Sequence, residues 1–165
     1  MTGPQEGSGF LVMNIKKYKQ VIFWAFFLAM VLFGRTGLAL EGFTPIGQSE
    51  AFKQFLKKPR TNLSKLICIL NYFWNAPVMV KYEGTEYTTQ FAYPFGLTFL
   101  LTHYHDEDPA HWIKKNCYRS PMSNTVIYFK FRDGRYRPAR DVFLEELANL
   151  EKVLTEQKAE KVQER

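Results

Sequence analysis

Residues 21–34, VIFWAFFLAMVLFG, form an unbroken apolar run of fourteen residues, and that run decides the compartment in which the remainder of the chain folds. Lys16, Lys17 and Lys19 precede it, and Gly37, Leu38 and Ala39 follow it with small residues at the two positions a signal peptidase reads. Fourteen residues are fewer than the roughly 20 that a membrane-spanning helix needs, and Arg35 closes the run. The pattern predicts a secretory signal in residues 1–39, with a mature chain beginning near Leu40, periplasmic or secreted. The alternative is an uncleaved anchor in the inner membrane, since tilting and a snorkelling Arg35 lengthen the span. Residues 1–12 are polar and glycine-rich at their start, so Met13, followed by Asn14-Ile15-Lys16-Lys17, is the more natural beginning of such a leader.

Removing the leader changes the charge argument. It holds four of the 22 basic and one of the 16 acidic residues, which leaves 18 against 15, a net +3 instead of +6. Much of the basicity therefore belongs to the leader, and nucleic-acid binding has little support. About 125 residues remain, enough for one domain with its own core. Aromatic residues make up 16% of the chain, so that core is expected to be built heavily from Phe, Tyr and Trp.

Within residues 40–154 the periodicity alternates between helix and strand. A brief helix follows Ser49 and stops before Pro59. From Asn62, read as an N-cap, Leu63, Leu66, Ile67, Leu70, Phe73 and Trp74 repeat at helical spacing, with Cys68 and Tyr72 on the other side. This predicts a core helix covered from more than one direction. Val78, Val80, Tyr82, Thr85 and Tyr87 then alternate along a hairpin turning at Glu83-Gly84, which sets Lys81 against Glu86 on the opposite face. Residues 91–104 return to helix, with Leu97, Leu100 and Leu101 on one side and Phe95 and Phe99 on the other, the mark of a helix that is buried or docked to a partner. Pro94 and Gly96 predict a kink or a late start. Asp108-Pro109 supplies the cap and first turn of a helix reaching about Cys117, with Trp112 and Ile113 inward.

A second hairpin is centred on Asp133-Gly134. A two-residue turn there predicts Lys130, Arg132, Arg135 and Arg137 on one face and Phe129, Phe131 and Tyr136 on the other. Pro138 leads into a last helix with the stripe Phe143, Leu147, Leu150 and Leu154. The stripe stops there, so residues 155–165 are expected to be a charged flexible tail. The fold class is α+β, with helices packed on a small antiparallel sheet built from two β-hairpins.

Three constellations bear on chemistry. An exported chain with two cysteines, Cys68 and Cys117, is expected to join them in one disulfide. All three histidines, His103, His105 and His111, lie within nine residues that also hold Asp106, Glu107 and Asp108. Such donors suit zinc, although His103 and His105 diverge by about 200° on a regular helix. The competing reading is a solvated acidic loop ending in a helix cap. The basic face of Lys130, Arg132, Arg135 and Arg137 needs neutralising, either by internal carboxylates such as Asp141, Glu145, Glu83 or Glu86, or by an external anionic envelope component. No G-x-S-x-G, phosphate-binding glycine loop, H-E-x-x-H or C-x-x-C appears after the leader, and no cofactor is expected.

The order of a helix, Glu83-Gly84-Thr85-Glu86-Tyr87, Ala92, Trp112-Ile113, residues 120–127 leading into a strand, and a leucine-rich helix resembles the small exported bacterial proteins typified by YfeK. The resemblance spans residues 63–150, with Pro94-Phe95 where that family has His-Leu and Ser123-Asn124 where it has Ser-Gly. It implies an envelope protein and carries no functional residue. The sequence thus points to a non-catalytic binding or interaction module of the envelope, whose partner is an anionic envelope component or an envelope protein. The alternative is a metal-dependent hydrolase using the region of His103, His105, Asp108 and His111. In a further reading the Phe95/Phe99 face docks a membrane partner.

Overall fold

The computed structural model describes residues 43–163. The predicted leader, its anchor alternative and the Met13 start fall outside that range. Following a 3₁₀ turn at Ile46–Gln48, the elements are α1 (Glu50–Leu56), α2 (Asn62–Phe73), β1 (Met79–Tyr82), β2 (Thr85–Thr88), α3 (Thr89–His103), α4 (Pro109–Asn116), β3 (Tyr128–Lys130), β4 (Tyr136–Pro138) and α5 (Ala139–Gln163). The helices pack on one antiparallel sheet of order β2-β1-β3-β4, the expected α+β class. Among the described residues no helix is long and apolar enough to cross a membrane.

Four helices begin at a residue whose side-chain oxygen accepts a backbone N–H that would otherwise be unpaired. Ser49 accepts from Phe52 at 3.1 Å, Thr61 from Ser64 at 3.1 Å, Thr88 from Phe91 at 3.2 Å and Asp108 from His111 at 2.9 Å. Each such cap contributes about 1 kcal/mol relative to alanine. The cap of α2 is therefore Thr61 and not Asn62, since Thr61 is the residue with extended backbone. Helix α3 starts earlier than expected and runs on through Pro94. Its first residue, Thr89, is buried and donates from Oγ1 to the Trp74 carbonyl at 3.1 Å, which ties the start of α3 to the end of α2. Helix α5 also runs past Leu154, to Gln163. The end of the apolar stripe marks the end of packing; the Glu-, Lys-, Gln- and Ala-rich extension has the propensity to continue as helix without it.

The β1–β2 hairpin has the predicted register, with Val80 facing Tyr87 and Lys81 facing Glu86. Its turn residues, Glu83 and Gly84, have φ of 49° and 79°, the left-handed pair that the twist of a two-residue hairpin requires. The β3–β4 hairpin departs from expectation by one residue. Phe131 N–H donates to the Arg135 carbonyl at 2.9 Å and Gly134 N–H to the Phe131 carbonyl at 2.9 Å, so the loop contains Arg132 as well as Asp133 and Gly134. With Gly134 at φ 83°, this is a three-residue loop closed by a left-handed glycine. Phe129 consequently faces Arg137, and Lys130 faces Tyr136.

Val80, Phe129 and Tyr87 share the sheet face that the helices cover, because residues directly opposite in the register point the same way. Phe129 stacks on Phe73 of α2 with centroids 4.8 Å apart, and Phe143 of α5 meets both rings edge-on at 5.3 and 5.4 Å. Three aromatic side chains thus join α2, the sheet and α5, in a geometry that adds roughly 0.5–1.5 kcal/mol per pair to the burial itself.

Candidate functional site

Between α2, α3, α4 and the covered sheet face the side chains leave a cavity of about 510 Å³. Small-molecule sites commonly measure about 300–1,000 Å³. Leu70 and Phe73 of α2, Val80 and Phe129 of the sheet, Gly96 of α3 and Ile113 of α4 are among its walls. Part of the space is there because α3 carries glycine where it passes α2. A Cβ on Gly96 would have one neighbour within 4 Å, Leu70 Cδ2 at 3.8 Å.

The mouth is apolar too. Phe91, Phe95 and Met122 line the cavity and are 56%, 65% and 82% exposed. Phe91 stacks on Tyr87 at 5.2 Å and lies 5.5 Å from Phe95, which forms a row of rings along one side. Met122 is held in place by a polar clamp. Its backbone N–H donates to Ser120 Oγ at 3.0 Å, and buried Ser120 donates to the Glu83 carboxylate in the first hairpin turn, with the Tyr82 hydroxyl 3.1 Å from the same Oγ. The Ser120 hydroxyl and then Ser123 hold the Glu83 carboxyl below its ordinary pKa.

Among the described residues no Asp, Glu, Lys, Arg or His side chain lines the cavity. Its polar groups are few and mostly partnered within the protein. Tyr93 donates to Asn71 Oδ1 at 2.5 Å, Asn116 Nδ2 to the Trp112 carbonyl at 3.0 Å, and Thr89 to the Trp74 carbonyl. Among the described residues Trp112 holds a buried exception. It is 5% exposed, its ring is part of the wall, and Nε1 is a buried donor without a hydrogen-bond partner. Leaving such a donor unpaired costs about 1–3 kcal/mol.

The cysteines are not joined: Cys68 and Cys117 are both free thiols, which corrects the expected disulfide. Cys68 sits in the core at 2% exposure, whereas Cys117 caps α4 and belongs to the cavity wall. Burial pushes each thiol up to about 12, so both stay protonated at neutral pH and behave as small core side chains.

The histidine region does not converge. Among the described residues no group of three or more His, Cys, Asp or Glu is placed to hold a metal ion. His103 stacks on Phe99 at 4.2 Å with Nδ1 3.0 Å from the Phe99 carbonyl, while His111 Nε2 lies 3.6 Å from Glu107. Asp108 is occupied as the cap of α4. Asp106 has φ of 51°, so the chain breaks from helix between the histidines, but the break leads into the cap and not to a shared centre.

The basic residues of the second hairpin are divided by the one-residue change in register. Lys130 lies on the outer face, where Nζ donates to both Glu86 oxygens at 3.0 and 2.8 Å and Tyr136 donates to the same carboxylate. Lys130 and then Tyr136 hold the Glu86 carboxyl below its ordinary pKa, and Glu86 raises that of Lys130. Arg137 shares the inner face with Phe129 and donates to Glu145 of α5 at 2.6 Å. Arg135 pairs with Asp133 within the turn, Arg132 is exposed there, and Arg140 pairs with Asp141 at 2.8 Å while lying 4.1 Å over the Tyr118 ring. Carboxylates of the chain itself meet Lys130, Arg135 and Arg137, so the predicted single basic face does not form.

The cavity was invisible as a site in the sequence because its walls come from helices and strands far apart in the chain. One signal pointed toward it, the two-sided apolar pattern of α3, which left Phe95 and Phe99 unaccounted for by a single buried face. Comparison of the chain with protein-family models, with characterised proteins and with solved structures finds no match.

Proposed function

We propose that the chain is an exported bacterial envelope protein, of the kind typified by YfeK, whose folded domain is a non-catalytic binding module. The cavity beneath α3 is its binding site and a small apolar molecule its ligand. The observation that carries this reading is the uncharged cavity of about 510 Å³ with an exposed aromatic mouth. Exposing that much apolar surface disfavours the empty state by about 25 cal/mol for every Å² a ligand would cover. Export rests on the basic residues, apolar run and small residues of the leader. The basic hairpin supplies less support for an anion site, since most of its cations already have internal partners. A hydrolase reading would need metal ligands that the histidine region does not gather.

Binding is tested by titrating the purified protein, free of detergent, with the uncharged fluorophore N-phenylnaphthylamine. The expected result is a saturable fluorescence increase ending at one probe per chain. A linear, unsaturable rise would contradict a defined site. Export is tested by intact-mass measurement of the protein from a secreting host, which is expected to begin near Leu40; retention of residues 13–39 on membrane-bound protein would favour the anchor.

A further inference from the structure

We infer that the ligand of this cavity is an uncharged amphiphile, a neutral ester or alcohol with an apolar chain, and not a fatty acid or other ionised lipid. The inference rests on the binding reading above and adds the ligand's charge.

Among the described residues the walls hold no side chain of either sign, so an ionised headgroup entering the cavity would be separated from water without a counter-ion. A buried charge is tolerated only when paired and hydrogen-bonded. The mouth offers no counter-ion: Phe91, Phe95 and Met122 line it, so a charged headgroup left in water at the rim gains no ion pair and its chain enters less deeply. Of the charged groups near the sheet, Glu86 is engaged with Lys130 and Glu145 with Arg137, and none of these four lines the cavity. The hydroxyl and amide donors of Thr89, Tyr93 and Asn116 are likewise committed to Trp74, Asn71 and Trp112. The wall's other polar groups are tyrosine hydroxyls and indoles, those of Tyr87 and Trp74 among them. A neutral donor suits a carbonyl or hydroxyl oxygen, which can be buried on one hydrogen bond, whereas a carboxylate needs several. The thiol of Cys117, also in the wall, is protonated and adds no charge.

Three probes of equal chain length separate the cases: methyl decanoate, decanoate and decylammonium, each used to displace N-phenylnaphthylamine from the wild-type protein at neutral pH. Methyl decanoate is expected to displace the fluorophore at concentrations on the order of tenfold or more below those needed for either ion, the difference expected from an unpaired buried charge. Either ion competing as well as the ester, or the ester failing to displace a bound fluorophore, would overturn the inference while leaving the binding reading in place. A fluorophore that does not bind at all would overturn both.

Discussion

Gly96 of α3 faces Leu70 of α2 across open space, with 3.8 Å between Leu70 Cδ2 and the place a Cβ would occupy. Ordinary van der Waals contact is therefore available to alanine at this position, in a helix where glycine is disfavoured. Gly96→Ala is expected to stabilise the protein by roughly 0.5–1 kcal/mol through helix propensity alone. Chemical denaturation measures this; a loss of stability would mean that α2 and α3 are closer than described.

Gly47 presents the reverse case. Its Cβ would stand 2.9 Å from Val153 Cγ2 and 3.0 Å from Cγ1, so the turn at Ile46–Gln48 reaches α5 only because the side chain is missing. Gly47→Ala is expected to destabilise by about 1–3 kcal/mol, the range for overpacking. Restoration by a second change, Val153→Ala, would identify the clash as the cause.

Glu146 is buried on α5 at 2% exposure, and burial pushes its carboxyl up to about 7 from an ordinary 4.5. Between those two values the folded protein keeps a proton that the unfolded chain has released, so stability falls as pH rises through that window and stays low above it. The fall attributable to Glu146 is about 3 kcal/mol. Glu146→Gln removes it: the variant is expected to gain on wild type at pH 8 and to lose that gain at pH 5. A gain that is equal at both values would show that the carboxyl ionises normally.

The thiols provide a chemical check. Unfolded but unreduced protein is expected to take up alkylating reagent at both Cys68 and Cys117, and native protein to resist it, because both thiols stay protonated. Absence of labelling until a reductant is added would show a disulfide.

Local features were legible in the sequence where a short stretch determined them. Ser49, Asp108 and the Glu83-Gly84 turn each act within four residues of themselves, and the facing of Lys81 and Glu86 follows once that turn is placed. The second hairpin shows how narrow the margin is. Including Arg132 in the loop moves Arg137 from the outer face to the side of Phe129, because a strand has a period of two. The disulfide failed for another reason: two cysteines in an exported chain define an option, while the distance between α2 and the end of α4 is set by packing across the core. The cavity was least legible. It depends on what Leu70, Gly96 and Phe129 leave unfilled, and no pattern along one segment encodes a missing volume.

Binding in the cavity is tested most directly by closing it. Gly96→Leu puts an isobutyl group into the space that faces Leu70, at a position where leucine also favours helix. Side by side with wild type, its affinity for N-phenylnaphthylamine is expected to fall on the order of tenfold or more while its melting temperature does not drop, since the added side chain excludes the ligand without leaving a void. Undiminished binding of the fluorophore by the folded Gly96→Leu protein would contradict the account, because the ligand would then have to sit elsewhere.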